Sequence, residues 1–586
     1  MNAPAGRPPA LLPEGCTGHP PRVPVERNAF VNTVPDLIIF NGTIHTLDPR
    51  DSIATAMAVS EGKIVALGDD ALELRGEETE MIDLGGSAIM PGLMDVHNHH
   101  MIAGQMDLFE LNVPPTLTLD GFLEAVAAWS QKLDADQWVI GGSWGSSLFS
   151  ELNTPQALER LDEATGGRPA LFKDDAKHNR WANSRAMEFA GITDATVDPD
   201  GGKIMRDAEG RATGVLLEAA GVIVEQARES LSPTPTSQVA EAAARGMEIL
   251  HSYGITGFQD AAASLQLMQA LKELDNAGNL HAWVVTSMQA NDFIFGTHPL
   301  GEGIIAQREP TRSAHHRPDF IKIFLDGVPP AGTGAFIEPY LEGVGFPECH
   351  CGSTTMPPEE LEGWLMSTAV RGISAKIHCT GDASVRLVLD TIQKVREAGL
   401  SEPKYHIAHG QFIHPDDLPR FAELEVTADI SPSLWFPGVI AEAMKLVLPA
   451  ERASRMHPNK TLLASGALVA GGSDWPVSVS PNAWEGIYGL ITRKDPTGSF
   501  PGTLWEEEAA TLADALRIYT INCAKAMGLE ELTGSLEVGK SADFIMLSAD
   551  PFEVALDQLP LITAQQTWFS GQKVYDRLES LSVPVS

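Results

Sequence analysis

The sequence has little cysteine, few basic residues and no long hydrophobic run, and each of these absences excludes a class of protein. Its five cysteines among 586 residues have no repeated spacing, which argues against a disulfide framework and favours a reducing compartment. Lysine and arginine total 41 against 78 acidic residues, and a net charge of −37 argues against nucleic acid or anionic membrane as a partner. No stretch approaches the roughly 18 apolar residues of a membrane span. We therefore predict a cytoplasmic protein that binds neither nucleic acid nor membrane.

The two ends of the chain have the pattern of a small sheet. Residues 1–34 are rich in proline and lack periodicity, so we predict an extended or disordered lead-in. Short apolar runs separated by turn residues fill 35–90 and return within 501–586, after the last helices. Neither group has enough strands to bury a core alone. We predict a small β-sandwich domain built from both chain ends.

The middle of the chain alternates apolar strand candidates with helical segments, the pattern of a (β/α)8 TIM barrel of the α/β class. Residues 91–104 hold strand one and residues 246–500 hold the rest of the barrel. A βα unit takes roughly 31 residues, and the spacing from strand one to strand two is far longer than that. We therefore predict an insertion at 105–245 that caps the barrel.

Two histidines end the first barrel strand. His97 and His99 alternate along this strand and point to the same side, where two imidazoles can hold one ion. The alternative is a pair of surface or core histidines. However, further polar residues end other predicted strands, where barrel enzymes place their sites. These residues are Lys322 on strand four, His378 on strand five, His409 on strand six and Asp474 on strand eight.

Lys322 lies within the apolar strand Phe320–Phe324, and burial there favours the neutral amine. A neutral amine can take up carbon dioxide, and the resulting carbamate can bridge two cations. The alternative is an ion pair inside the barrel, for example with Asp326. On strand six, His406 lies three residues before His409 and faces another direction, so His409 is the better candidate ligand.

Six motifs in this order resemble the amidohydrolase superfamily, and they fit its YtcJ-like branch, amidohydrolase family 3, best. The motifs are 90–99, 321–327, 377–383, 409–411, 472–477 and 534–543. The resemblance implies that His97 and His99 hold one metal ion, zinc or a similar divalent metal. Lys322, when carboxylated, would bridge to a second ion held by His378 and His409. Asp474 would serve as metal ligand and catalytic proton shuttle.

The insertion contributes one candidate substrate-binding residue, His178, which resembles a position that this branch brings toward the site. Its alternative role is that of a structural histidine holding a loop.

The resemblance implies a hydrolase acting on carbon–nitrogen bonds other than peptide bonds, which cleaves an amide-like C–N bond of a small molecule with a metal-activated hydroxide. A single-metal aminohydrolase, that is a deaminase of a heterocycle, is the alternative, for which His97, His99, His378 and Asp474 would suffice. A barrel without chemistry that serves as a binding module would lack some ligands, yet all candidate positions are filled. We expect a small-molecule substrate as its partner, and the sequence leaves open whether the chain is a monomer or a homodimer.

Overall fold

The computed structural model describes residues 34–174, 179–199, 201–292, 296–434 and 436–582. These residues form two eight-stranded sheets and one six-stranded sheet, with helices between the strands. No helix in this part of the chain is both long and apolar enough to cross a lipid bilayer. The predicted α/β class is confirmed.

Eight parallel strands form the central barrel, and we number them one to eight in chain order. They are Leu93–Asn98, Ile255–Ala263, Trp283–Gln289, His316–Phe324, Ser374–Cys379, Tyr405–His409, Val426–Ile430 and Val469–Gly471. Each strand pairs with the next one along the chain. The amide nitrogen of Asp474 donates to the carbonyl oxygen of His97 at 2.7 Å, which brings the end of strand eight back to strand one. The predicted barrel of eight parallel strands is therefore confirmed.

Strand two is longer than its apolar run predicts. The run ends at Phe258, whereas the strand continues through Gln259 and Asp260 to Ala263, and all of these residues are buried. The side-chain amide nitrogen Nε2 of Gln259 donates to the hydroxyl of Ser287 on strand three at 2.9 Å. Because Gln259 donates to the neighbouring strand and Asp260 contacts Nδ1 of His100, polar residues continue a strand that hydrophobicity alone would end.

The strands from both chain ends lie in a single eight-stranded sheet. They are Leu37–His45, Ile53–Ser60, Lys63–Leu67, Glu80–Asp83, Ala88–Pro91, Phe544–Leu547, Ala564–Phe569 and Gln572–Asp576. Phe544 pairs with Pro91 and Ile545 with Met90, so the C-terminal strands join directly to the strand that leads into the barrel. The predicted joining of the two ends is present; a sandwich of two facing layers stays a prediction.

A third sheet lies between barrel strands one and two in the sequence. Its strands are Leu111–Asn112, Val139–Trp144, Ala170–Asp174, Arg180–Ala182, Gly202–Arg206 and Ala212–Glu218. It has a core of its own, in which the ring of Phe122 lies 5.3 Å from that of Phe172 and 6.2 Å from that of Trp181. This sheet falls within the predicted insertion; that the insertion caps the barrel stays a prediction.

Helices connect these strands, and several begin at residues whose side chains cap them; Ser264, for example, accepts a hydrogen bond from the Leu267 amide. The α-helices are Asp69–Glu73, His100–Phe109, Leu119–Ser130, Phe149–Leu152, Pro155–Ala164, Ser184–Phe189, Ala219–Leu231, Thr236–Ser252, Leu265–Asn276, Glu302–Ile305, Arg308–Thr311, Pro358–Ala369, Asp382–Glu397, Leu418–Glu423, Val439–Val447, Ala450–Ala453, Asn459–Ala464, Ala483–Thr492, Leu512–Ile518, Ile521–Met527 and Arg577–Ser582. The 3-10 helices are Ser146–Leu148, Pro329–Ala331, Pro415–Asp417, Pro432–Leu434, Glu506–Glu508 and Leu556–Leu561.

Helix His100–Phe109 begins directly after His99 and packs closely on helix Thr236–Ser252. Glycines make this approach possible: a Cβ atom on Gly104 would overlap the carbonyl oxygen of Ala242, and one on Gly246 would overlap that of His100. The position of the chain just after His99 therefore depends on two residues without side chains.

We expect Gly246→Ala to lower the free energy of unfolding by roughly 1–3 kcal/mol, because the added methyl group forces the two helices apart. Gly363→Ala is the matched control, since Gly363 is also in a helix but a Cβ there meets no atom within 4 Å. This control should raise stability by up to about 1 kcal/mol. Thermal or denaturant unfolding of both variants measures the difference. Equal stability of the two variants would contradict the close packing.

Candidate metal centre

Three buried side chains converge at one end of the barrel: His97, His99 and Asp474. One ligand atom from each lies within 4.8 Å of the other two. The Nε2 atoms of His99 and His97 lie 3.3 and 3.6 Å from Oδ1 of Asp474. Two imidazoles and a carboxylate are a donor set that zinc and similar divalent ions accept. The arrangement fits a metal ion.

The strands explain why these side chains meet. His97 lies near the end of strand one and His99 directly follows that strand, whereas Asp474 follows strand eight with a left-handed φ of 54°. Gly472 lets the two strands approach, since a Cβ at this position would lie only 2.6 Å from the Cβ of His97. A larger residue would push the end of strand eight, and with it Asp474, away from the histidines.

Two further histidines extend the cluster. The ring of His409 lies 4.8 Å from that of His97 and 4.7 Å from that of His378. His378 ends strand five and directs Nδ1 toward Asp326 Oδ1 at 3.2 Å. His406 faces elsewhere, as predicted, with its Nε2 atom 3.0 Å from the carbonyl oxygen of Ala526. The structure thus brings together the candidate histidines from strands one, five and six.

Burial sets the charge of these rings. It lowers the pKa of His97 well below its ordinary value, and the nearby charges of Lys322 and Lys376 lower it further. Burial has the same effect on the pKa of His409. Both rings are therefore neutral near pH 7, and neutral imidazole is the form that binds metal.

Lys322 is only 1% exposed on strand four, and its amine lies 4.8 Å from the centre of the Phe324 ring. Burial lowers the pKa of Lys322 to about 8, with a smaller contribution from the charge of Lys376. Among the described residues, no ion pair within 4.0 Å includes Lys322. The amine is therefore much more readily neutral than an ordinary lysine, as its place in an apolar strand predicts.

Asp326, the alternative partner of Lys322, is engaged by other groups. Besides His378, it accepts hydrogen bonds of 2.7–3.2 Å from Ala335, Thr380, Gly381 and Ser384. These donors satisfy its carboxylate without a lysine. The predicted alternative of a Lys322–Asp326 ion pair is wrong.

Sequence reasoning missed three buried charged residues beside the cluster: Asp95, Lys376 and Asp429. Burial raises the pKa of Asp95 to about 6, although hydrogen bonds from Ser473 and the His97 amide oppose this rise. Asp429 contacts both Lys376 and the Nδ1 atom of His97. Each of these three is a charged residue within an apolar strand, and this pattern, which identified Lys322, could have identified them as well.

One predicted residue cannot be placed. His178, the candidate substrate-binding histidine of the insertion, lies outside the described residues. Its role stays a prediction.

Comparisons with known proteins agree with this architecture. The model of the amidohydrolase family matches residues 80–575. The chain is 30% identical to the N-substituted formamide deformylase of Arthrobacter pascens over 93% of this chain and 99% of that protein. It is 28% identical to the putative amidohydrolase YtcJ of Bacillus subtilis strain 168, over 92% of this chain and 98% of that one.

The crystal structure of an uncharacterized metal-dependent hydrolase from Pyrococcus horikoshii OT3 has the same fold. Its TM-score is 0.71 at 20% identity, over 89% of this chain and 99% of that chain. The resemblance found in the sequence motifs is confirmed, because the family match covers most of the chain and includes every strand of the barrel. The chain belongs to the amidohydrolase family.

Proposed function

We propose that the chain is a metal-dependent amidohydrolase that cleaves an amide-like C–N bond of a small molecule. The observation that carries this proposal is the convergence of His97, His99 and Asp474 in one buried cluster, with His378 and His409 beside it. Family membership supports a hydrolase, and the deformylase relative supports the C–N bond.

The residues divide between two ion sites. His97 and His99 would hold one zinc or similar divalent ion, with Asp474 as a further ligand. His378 and His409 would hold a second ion, and the carboxylated amine of Lys322 would join the two sites. When bound, the metal supplies a Lewis acid that polarises the substrate carbonyl and lowers the pKa of the attacking water. Burial, which keeps the amine of Lys322 readily neutral, supports the carboxylation.

Asp474 moves the proton in this proposal. Its carboxylate accepts a proton from water as the water oxygen attacks the carbonyl carbon. It then donates that proton to the amine nitrogen as the C–N bond breaks, so the products are a carboxylic acid and an amine. The position of Asp474 between two imidazoles supports this role.

The proposed substrate is a small N-substituted amide, formamide or cyclic amide. The Arthrobacter relative is a deformylase of N-substituted formamides by name, and it aligns with 93% of this chain. A cytoplasmic location and a role for His178 in binding this substrate are part of the same proposal.

A panel of N-substituted formamides, simple amides, cyclic amides and aminoheterocycles tests the function. We expect the zinc-loaded protein to release an amine from at least one amide, and a chelator to abolish that activity until zinc is restored. Release of ammonia from a heterocycle, with all amides intact, would instead support the single-metal deaminase. Activity that survives complete removal of metal would contradict both enzymes.

Asp474→Asn should lower turnover at least about 10²-fold, because it keeps the size of the side chain but removes the base. The measurement is kcat on the best substrate of the panel, compared at equal zinc content. Asp416→Asn is the control, since the Asp416 side chain is 84% exposed and outside the cluster. Turnover of Asp474→Asn close to that of the control would assign the proton transfer to another residue.

Lys322→Ala distinguishes two ions from one. If a carbamate joins the two sites, this variant should lose the second equivalent of zinc and most activity, and short added carboxylates should restore part of it. Reconstitution of the parent protein without bicarbonate should lower its activity as well. Lys394→Ala, at a side chain that is 54% exposed, is the control. Full metal content and activity in Lys322→Ala would contradict the two-ion site and support the single-ion arrangement.

A further inference from the structure

Below the metal cluster, a buried network crosses the barrel from strand five through strand seven to strand one. The Lys376 ammonium donates to Oδ2 of Asp429 and, at 2.9 Å, to the carbonyl oxygen of Val96. The same Asp429 oxygen lies 3.1 Å from Nδ1 of His97. The side chains of Lys376 and Asp429 are fully buried, and that of His97 is 1% exposed.

This contact assigns the two nitrogens of the His97 ring. An ionised carboxylate only accepts hydrogen bonds, so Nδ1 must carry the hydrogen that points at Asp429. In the neutral ring, Nε2 then has the free electron pair, and it is Nε2 that lies 3.6 Å from Asp474 in the cluster. The Lys376 ammonium donates to the same Asp429 oxygen and so holds that carboxylate against Nδ1 of His97.

We propose that Asp429, held by Lys376, is a positioning residue that fixes the tautomer and ring orientation of His97 and thereby strengthens metal binding by the cluster. A carboxylate on the second nitrogen of a ligating histidine acts in this way in general. The inference rests on the proposed function, in which His97 is a metal ligand.

The second ligand pair supports this assignment. His378 makes an equivalent contact, with its Nδ1 atom 3.2 Å from Asp326, so histidines of both proposed ion sites have a carboxylate behind the ring. The competing explanation is that Asp429 serves only as the counter-ion that lets Lys376 remain in the core. The two explanations differ in what happens when both charges are removed together.

Zinc affinity, measured by competition with a chelator, tests the contact directly. We expect Asp429→Asn to weaken zinc binding roughly 10–100-fold. Asp260→Asn is the matched control, because Asp260 lies at the same 3.1 Å from Nδ1 of another buried histidine, His100, which is not in the cluster. This control should change zinc affinity less than about twofold.

The double variant Lys376→Met/Asp429→Asn separates positioning from charge compensation. It removes both charges of this pair, so its thermal midpoint should exceed that of Lys376→Met, in which Asp429 loses its partner, while its zinc affinity should stay as weak as that of Asp429→Asn. It also decides the question if either single variant fails to fold. Recovery of parent zinc affinity in the double variant would show that Asp429 is only a counter-ion.

Zinc binding by the parent protein distinguishes failure of the positioning role from failure of the proposed function. If the parent protein binds zinc and Asp429→Asn binds it with equal affinity, the positioning role is overturned and the proposed function still stands. A parent protein that binds no zinc under any condition would overturn the proposed function itself, and the positioning role with it.

Discussion

The candidate site depends on the close approach of barrel strands one and eight. The Asp474 amide donates to the His97 carbonyl at 2.7 Å, and Gly472 leaves room for the His97 side chain. These contacts place two histidines from the start of the barrel beside a carboxylate from its end. The joining of the chain ends in one sheet supports the same geometry, because the strand that leads into strand one pairs with C-terminal residues.

A barrel interior that contains several charged groups must compensate each of them, since an isolated buried charge is very costly. The structure uses two means of compensation. Asp429 is paired with the ammonium of Lys376, whereas Asp326 is satisfied by backbone amides and hydroxyls. Lys322 has neither, and burial instead favours loss of its proton. Of the two lysines that are buried among the described residues, Lys322 and Lys376, the one without an ion-pair partner is Lys322, whose neutral amine the proposed chemistry requires.

Much of the fold could be predicted from the sequence, because barrel strands are buried on both faces and read as apolar runs. The candidate ligands could also be predicted, since the histidines lie at or near the ends of such runs and Lys322 is a charged residue within one. Lys376 and Asp429 were missed because strand six separates their strands, so no local pattern connects them. A geometric rule does connect them: a layer of side chains inside such a barrel comes from alternate strands. Strands one, five and seven supply His97, Lys376 and Asp429, and this rule would have placed them together.

The layered arrangement also bears on which carboxylate can exchange a proton. Asp429 and Asp326 are held by donors that come from fixed backbone or fully buried side chains. The side chain of Asp474 contacts two imidazole nitrogens at 3.3 and 3.6 Å, which are longer and weaker contacts. A proton added to Asp326 or Asp429 would disrupt strong hydrogen bonds, whereas the contacts of Asp474 with other described residues are weaker. In the proposed mechanism, Asp474 is therefore the carboxylate best suited to carry a proton between water and the leaving amine, because its contacts are weaker than those of Asp326 and Asp429.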